Sequence, residues 1–234
     1  MNQALRFENL YGEELDRAIA RLPLAWVPLG ILERHGEHLP WGLDGIKAHG
    51  VCLHLAQRLG GVVLPACHLA GVHEPWLPDP AAARKLMAKV RDFYLSEATL
   101  RMLLEDTGRG LAQVGFRMIV FYTGHYPQLQ IHVVNDVAQR LTAAGVAQVV
   151  GFDELTFFGD GDHAGKWESS IYLALGGEFR RAALRDEHRD RTGYWYSNSP
   201  PHQASLEFGQ QALARISAHF EQLVTEHRKL LLRG

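Results

Sequence analysis

Residues 25–59, AWVPLGILERHGEHLPWGLDGIKAHGVCLHLAQRL, contain one complete strand–turn–helix unit. The run AWVPLGIL at 25–32 is apolar throughout and of strand length, which predicts a strand buried on both faces. Residues 45–59 carry apolar side chains at helical spacing and are closed by Gly60 and Gly61, which predicts an amphipathic helix. The turn between them carries Glu33, His35 and Asp44 in an E-x-H-x8-D spacing. In extended chain, residues two apart point to the same side, so Glu33 and His35 could touch one ion or two neighbouring ions. Asp44 returns after the turn signals at 40–42 and is placed to bridge them. Anionic oxygen and neutral imidazole nitrogen are donors that Zn, Mn and Fe accept.

The same alternation continues along the chain. A short helix is expected at 13–21, a strand at 62–67 (VVLPAC), a Pro-rich loop at 71–80 and a helix-like AAARKLMAKV at 81–90, followed by a short extended DFYL. Next come a helix over about 96–111, a strand at 116–122 (FRMIVFY), a helix over about 128–144, a strand at 146–152 and a long amphipathic helix at 206–232. No repeat or linker divides the chain, so residues 1–234 are read as one domain. This β-α order predicts an α/β fold whose mainly parallel sheet is covered by helices on both faces, with sites beyond the carboxyl ends of the strands.

Composition narrows the function. Of 234 residues 47% are hydrophobic, enough for a substantial core. There are 24 Lys and Arg against 26 Asp and Glu, with no basic block, so nucleic acid is not an expected partner. The first twenty residues lack a basic n-region and an apolar h-region, and no later run approaches membrane-spanning length. Cys52 and Cys67 sit in apolar surroundings without a C-x-x-C pattern and read as buried free thiols. The expectation is a cytoplasmic protein without a membrane partner.

Two further junctions carry chemistry. FRMIVFY ends in Thr123-Gly124-His125, which delivers an imidazole to a strand end after a glycine that lets the backbone pass close to a ligand. GDGDHAGKWESSIYLAL at 159–175 supplies Asp162 and His163 in a loop and Glu168 in the first turn of a helix beginning near Trp167. Asp162 and Glu168 could equally serve the positive end of that helix. Lys47 and His49, on the helix after Asp44, read as structural or exposed.

These stretches together resemble the creatininase (creatinine amidohydrolase) family. LGILERHGEHLPWGLD is similar to its G-S-x-E-Q-H-G-P-H-L-P-x-x-T-D signature, GFRMIVFYTGH to its G-F-x-x-I-V-x-x-N-G-H segment, and GDHAGKWESS to its D-x-H-A-G-x-x-E-T-S motif. The resemblance runs from about residue 12 to 178 and includes the S-x-E-T-L helix before the 116–122 strand. It implies a three-layer αβα sandwich and a metal-dependent hydrolase acting on small amides, usually a homo-oligomer such as a hexamer. By carry-over, Glu33, His35, Asp44 and His125 match metal-ligand positions, with one or two Zn, Mn or Fe ions per chain and Asp44 as the bridge. Glu168 matches a residue that reaches the second metal, and His163 the histidine that acts on the substrate as proton donor or carbonyl polariser.

The departures are specific. Where relatives read N-G-H-G-G-N, or G-H-Y-E-N in creatininase itself, this chain has Thr123 to Gln128, and Pro127 stands where creatininase has a ligating Glu. The second ion must then use Glu168 or water, or be absent. The F-P-G-T segment is replaced by 71–92, which puts His73, Glu74 and Trp76 forward as substrate contacts beside Tyr126 and Trp167. Arg34 replaces a Gln, and either attracts an acidic substrate or pairs with a carboxylate. The leading expectation is a hydrolase in which metal-activated water attacks the carbonyl of a small cyclic or formylated amide. The alternatives are a C–C bond hydrolase opening an inositol-derived cyclic diketone on the same centre, and a non-catalytic binding subunit.

Overall fold

A computed structural model describes residues 5–73, 92–159, 162–191 and 194–232. Its centre is a five-stranded sheet of β1 (Leu5–Arg6), β2 (Leu24–Leu29), β3 (Val62–Val63), β4 (Met118–Thr123) and β5 (Gln148–Asp153). The spatial order is β1-β3-β2-β4-β5, and every pair is parallel. The helices are α1 (Gly12–Arg21), α2 (Leu43–Leu59), α3 (Glu97–Val114), α4 (Gln128–Ala143), the single turn α5 (Leu155–Phe158), α6 (Lys166–Ala174) and α7 (Leu206–Leu232).

Strand alternation sorts the core into two layers. Trp26, Val63, Met118, Val120 and Tyr122 pack with Val51, Cys52 and Leu55 of α2 and with Ile216 and Phe220 of α7. Their neighbours Ala25, Val27, Val62, Ile119 and Phe121 face Ala18 of α1, Leu104 of α3 and Val133 and Val137 of α4. The three-layer αβα sandwich expected from the sequence is therefore present. Register is specified by shape, because a one-residue slip would exchange the two faces and set large side chains such as Trp26 and Tyr122 into the layer built around Ala25 and Val27.

Several boundaries differ from the sequence reading. β2 ends at Leu29, after which Leu32 makes only an isolated bridge to Phe93. The strand expected at 62–67 keeps two residues, and Cys67 rejoins the sheet in a single bridge to Leu29. Pro65, without an N–H, cannot continue a ladder between them. α2 starts two residues earlier than expected, so Asp44 lies in its first turn and not in the preceding loop. Cys52 is buried and Cys67 half-buried, both as free thiols. Much of the 71–92 loop, with the expected 81–90 helix, Glu74 and Trp76, lies outside the described residues. No helix among the described residues is long and apolar enough to cross a membrane.

Candidate metal centre

The chain runs from β2 outward to β3 and then back across to β4, so strand order reverses between β2 and β4. At such a switch point the connections leave in opposite directions and open a crevice at the carboxyl ends. Glu33 and His35 follow β2, and His125 follows β4. Two glycines let these ends press against the start of α2. A Cβ on Gly30 would sit 2.2 Å from the Gly45 amide nitrogen, and one on Gly124 would sit 2.2 Å from the Asp44 carbonyl oxygen. The glycine expected to let chain approach a ligand thus lets it approach the helix that carries Asp44.

The result is a buried constellation. His35 Nε2 lies 3.0 Å from Asp44 Oδ1 and 3.8 Å from both Glu33 Oε1 and Glu168 Oε2. His125 Nδ1 lies 2.9 Å from Glu33 Oε1 and 3.1 Å from Asp44 Oδ2. His163 Nδ1 is 3.7 Å from Glu33 Oε1, and its ring lies over that of His35 with centroids 4.5 Å apart. Donor atoms converge within 4.8 Å of one another in three groups: His35, Asp44 and Glu168; Glu33, His73 and His125; and Glu33, His35 and His163. Every metal-ligand residue expected from the sequence, together with His163, thus lies in one cluster.

Backbone carbonyls set the tautomers. A carbonyl oxygen only accepts, so the ring nitrogen facing it must carry hydrogen. His35 Nδ1 faces the Glu33 carbonyl at 3.2 Å, His125 Nε2 that of Val72 at 3.2 Å, and His163 Nε2 that of Arg34 at 2.8 Å. The opposite nitrogen of each ring is thereby aimed into the cluster, the arrangement that ligating histidines need. His35 Nε2 and Asp44 Oδ2 complete no well-aligned hydrogen bond there, although each lies about 3 Å from an oppositely charged group, at 3.0 Å from Asp44 Oδ1 and 3.1 Å from His125 Nδ1 respectively. Imidazole nitrogen and carboxylate oxygen crowded this closely are a donor set that a divalent cation would satisfy.

The charges agree. Burial alone would lower the pKa of His35, but the carboxylates of Asp44, Glu168 and Glu33 together outweigh it and raise it to about 9. Burial is likewise overcome at His125, where Glu33 raises the pKa to about 10. Glu33 is itself held well below the ordinary carboxylate range, since His125 and His163 outweigh its burial. A divalent cation between these carboxylates would displace the imidazole protons.

A second network, not anticipated from the sequence, flanks the first. Lys47 is fully buried, and its Nζ lies 2.8 Å from Glu154 Oε2 and 2.9 Å from Glu168 Oε1. Burial would lower its pKa, but Glu154 and Glu168 hold it above the ordinary lysine range. Tyr122 donates its hydroxyl to Glu154 Oε1 at 2.7 Å, and the Tyr126 hydroxyl meets both Glu154 and Lys47. Glu168 Oε2 accepts from the Ala164 amide at 2.7 Å and stays turned towards His35. Lys47 was read as structural or exposed, and only the first half of that fits. The signal for Glu154 was a carboxylate immediately after β5, at the same sheet edge as the other donors.

The remaining candidates take distinct places. Asp162 caps α6, accepting from the Trp167 amide at 3.2 Å and the Glu168 amide at 2.7 Å. Trp167 is buried and stacks on Tyr126, with centroids 5.8 Å apart, and meets Phe158 edge-on. Arg34 pairs with Glu37 at 3.1 Å and lies over the Tyr194 ring, so it takes the carboxylate-pairing alternative. His73 directs Nε2 at Glu33 Oε2, 3.0 Å away.

The family model described as creatinine amidohydrolase matches residues 8–224. The chain belongs to the creatininase family. It is 28% identical over 178 residues to creatinine amidohydrolase of Pseudomonas putida, covering 64% of this chain and 63% of that one. It is 31% identical over 161 residues to the mycofactocin precursor peptide peptidase of Mycobacterium tuberculosis, covering 65% and 59%. These matches span less than two thirds of each relative's length. A solved creatininase superposes with a TM-score of 0.75 at 21% identity, covering 97% of this chain and 98% of that one, so the fold is a creatininase fold.

Proposed function

We propose that this creatininase-family chain is a divalent-metal hydrolase that cleaves the C–N bond of a small cyclic or formylated amide. The observation that carries the reading is the buried convergence of imidazole nitrogens of His35 and His125 on the carboxylates of Glu33, Asp44 and Glu168. Solved creatininases include a manganese form and a Zn–Zn form, consistent with this donor set. His35, Asp44 and Glu168 would hold one ion, and Glu33 and His125, with Asp44 adjoining, the other. An ion bound by these residues would supply Lewis-acid polarisation of a substrate carbonyl and a water of lowered pKa.

The chain's own groups supply the rest. Lys47 and the Ala164 amide fix Glu168 from two sides, so its carboxylate enters the centre in one orientation. Burial lowers the His163 pKa, which leaves the ring neutral near pH 7 with Nδ1 free to accept. His163 takes a proton from the attacking water and returns it to the leaving nitrogen as the C–N bond breaks. The names of the curated relatives, an amidohydrolase and a peptidase, favour an amide over the cyclic diketone.

The test is a panel of cyclic amides, formamides and a cyclic diketone, assayed after chelation and again after adding Mn or Zn. Turnover of an amide that chelation abolishes and metal restores is expected, and His163→Asn should lower kcat by about 10²–10⁴ with unchanged metal content. Turnover of the diketone alone, or of nothing by the metal-loaded protein, would overturn the amide reading.

A further inference from the structure

The Glu33 carboxylate faces two ways. Its Oε1 is shared with His125 at 2.9 Å, whereas Oε2 meets His73 Nε2 at 3.0 Å. The rings of His73 and His125 stand nearly perpendicular, at 86° with centroids 4.7 Å apart, and donor atoms of Glu33, His73 and His125 all lie within 4.8 Å of one another. We propose that His73 is a metal ligand, the third protein donor to the ion held by Glu33 and His125. This rests on the metal-centre reading above and extends it.

Three observations support it. First, the side chain of His73 is nine-tenths buried, and Nε2 meets Glu33 within a set of two imidazoles and one carboxylate, which suits a divalent transition ion. Second, Nε2 is held on Glu33 and Nδ1 has no hydrogen-bond partner among the described residues, so no competing bond seen there draws the ring away from the centre. Third, the position is supplied from the right place. His73 directly follows Val72, whose carbonyl orients His125. One stretch of chain after β3 thus both aims one ligand and contributes another. The centre would then comprise six residues, Glu33, His35, Asp44, His73, His125 and Glu168, with Glu168 and His73 as the donors not drawn from the 29–44 and 123–125 stretches.

The test is a crystal structure of the Zn-loaded wild-type protein with anomalous scattering, paired with calorimetric titration of zinc into metal-free His73→Gln. A zinc peak about 2.0–2.1 Å from His73 Nε2 is expected. The variant should still bind one zinc at wild-type affinity and bind the second at least about a hundredfold more weakly, more than loss of an outer partner usually costs. Two zinc ions with the His73 ring separated from both by water, or two unchanged binding steps in the variant, would overturn the proposal and leave the metal centre standing. No zinc in either experiment would instead overturn the metal-centre reading on which it rests.

Discussion

Asp44→Ala is expected to empty the centre of both ions and abolish turnover. The two oxygens of Asp44 face the imidazoles of the two donor groups, Oδ1 at 3.0 Å from His35 Nε2 and Oδ2 at 3.1 Å from His125 Nδ1. Removing it takes a donor from one ion and the shared wall from the other. Loss of an outer-shell partner alone typically weakens a metal site about 10–100-fold, so loss of this residue should weaken both sites by more than about a hundredfold. Elemental analysis after gel filtration measures this directly. The side chain is buried at the start of α2, so Asp44→Asn, which keeps its shape, provides the folded comparison and should also lose metal. An Asp44→Asn protein that retains two ions would remove Asp44 from the centre.

Lys47→Met is expected to cost stability more than any surface change. The substitution leaves Glu154 and Glu168 buried with their cation gone, and breaking a buried pair by removing one partner typically costs about 3–5 kcal/mol. Urea denaturation of the metal-free protein at pH 7 reads the loss. The double variant Lys47→Met/Glu154→Gln should recover part of it, because one uncompensated charge is removed while the Tyr122 hydroxyl can still donate to the amide oxygen. A Lys47→Met protein within about 0.5 kcal/mol of wild type would show that the ammonium does not compensate these carboxylates.

What the sequence made legible follows from where the information lies. β2 and β4 are nearly continuous apolar runs, each followed by a helical pattern, so the parallel sheet and its two covering layers could be read from local periodicity. Glu33, His35 and His125 were legible because they follow strand ends, where chemistry collects, and Asp44 because its spacing from them returns it at the start of the next helix. Lys47 was not, because a lysine in an amphipathic helix ordinarily faces water, and its partners lie 107 and 121 residues further along the chain. Glu154 was passed over for the same reason, since its role appears only once Lys47 and Tyr122 are seen to converge on it. The start of α2 was misplaced by two residues because Gly42, which caps without a side chain, gives no Ser, Thr, Asp or Asn signal. His73 was singled out by the departure of its loop from the family pattern, but its proximity to Glu33 is a tertiary fact.

The most direct test of the account is the number of ions that the metal-free protein binds. Calorimetric titration with zinc or manganese, checked by elemental analysis of the saturated protein, is expected to give two ions per chain, because the donors divide into one group around His35, Asp44 and Glu168 and another around Glu33 and His125. A single ion, or none, would contradict the two-ion centre on which the proposed hydrolysis depends.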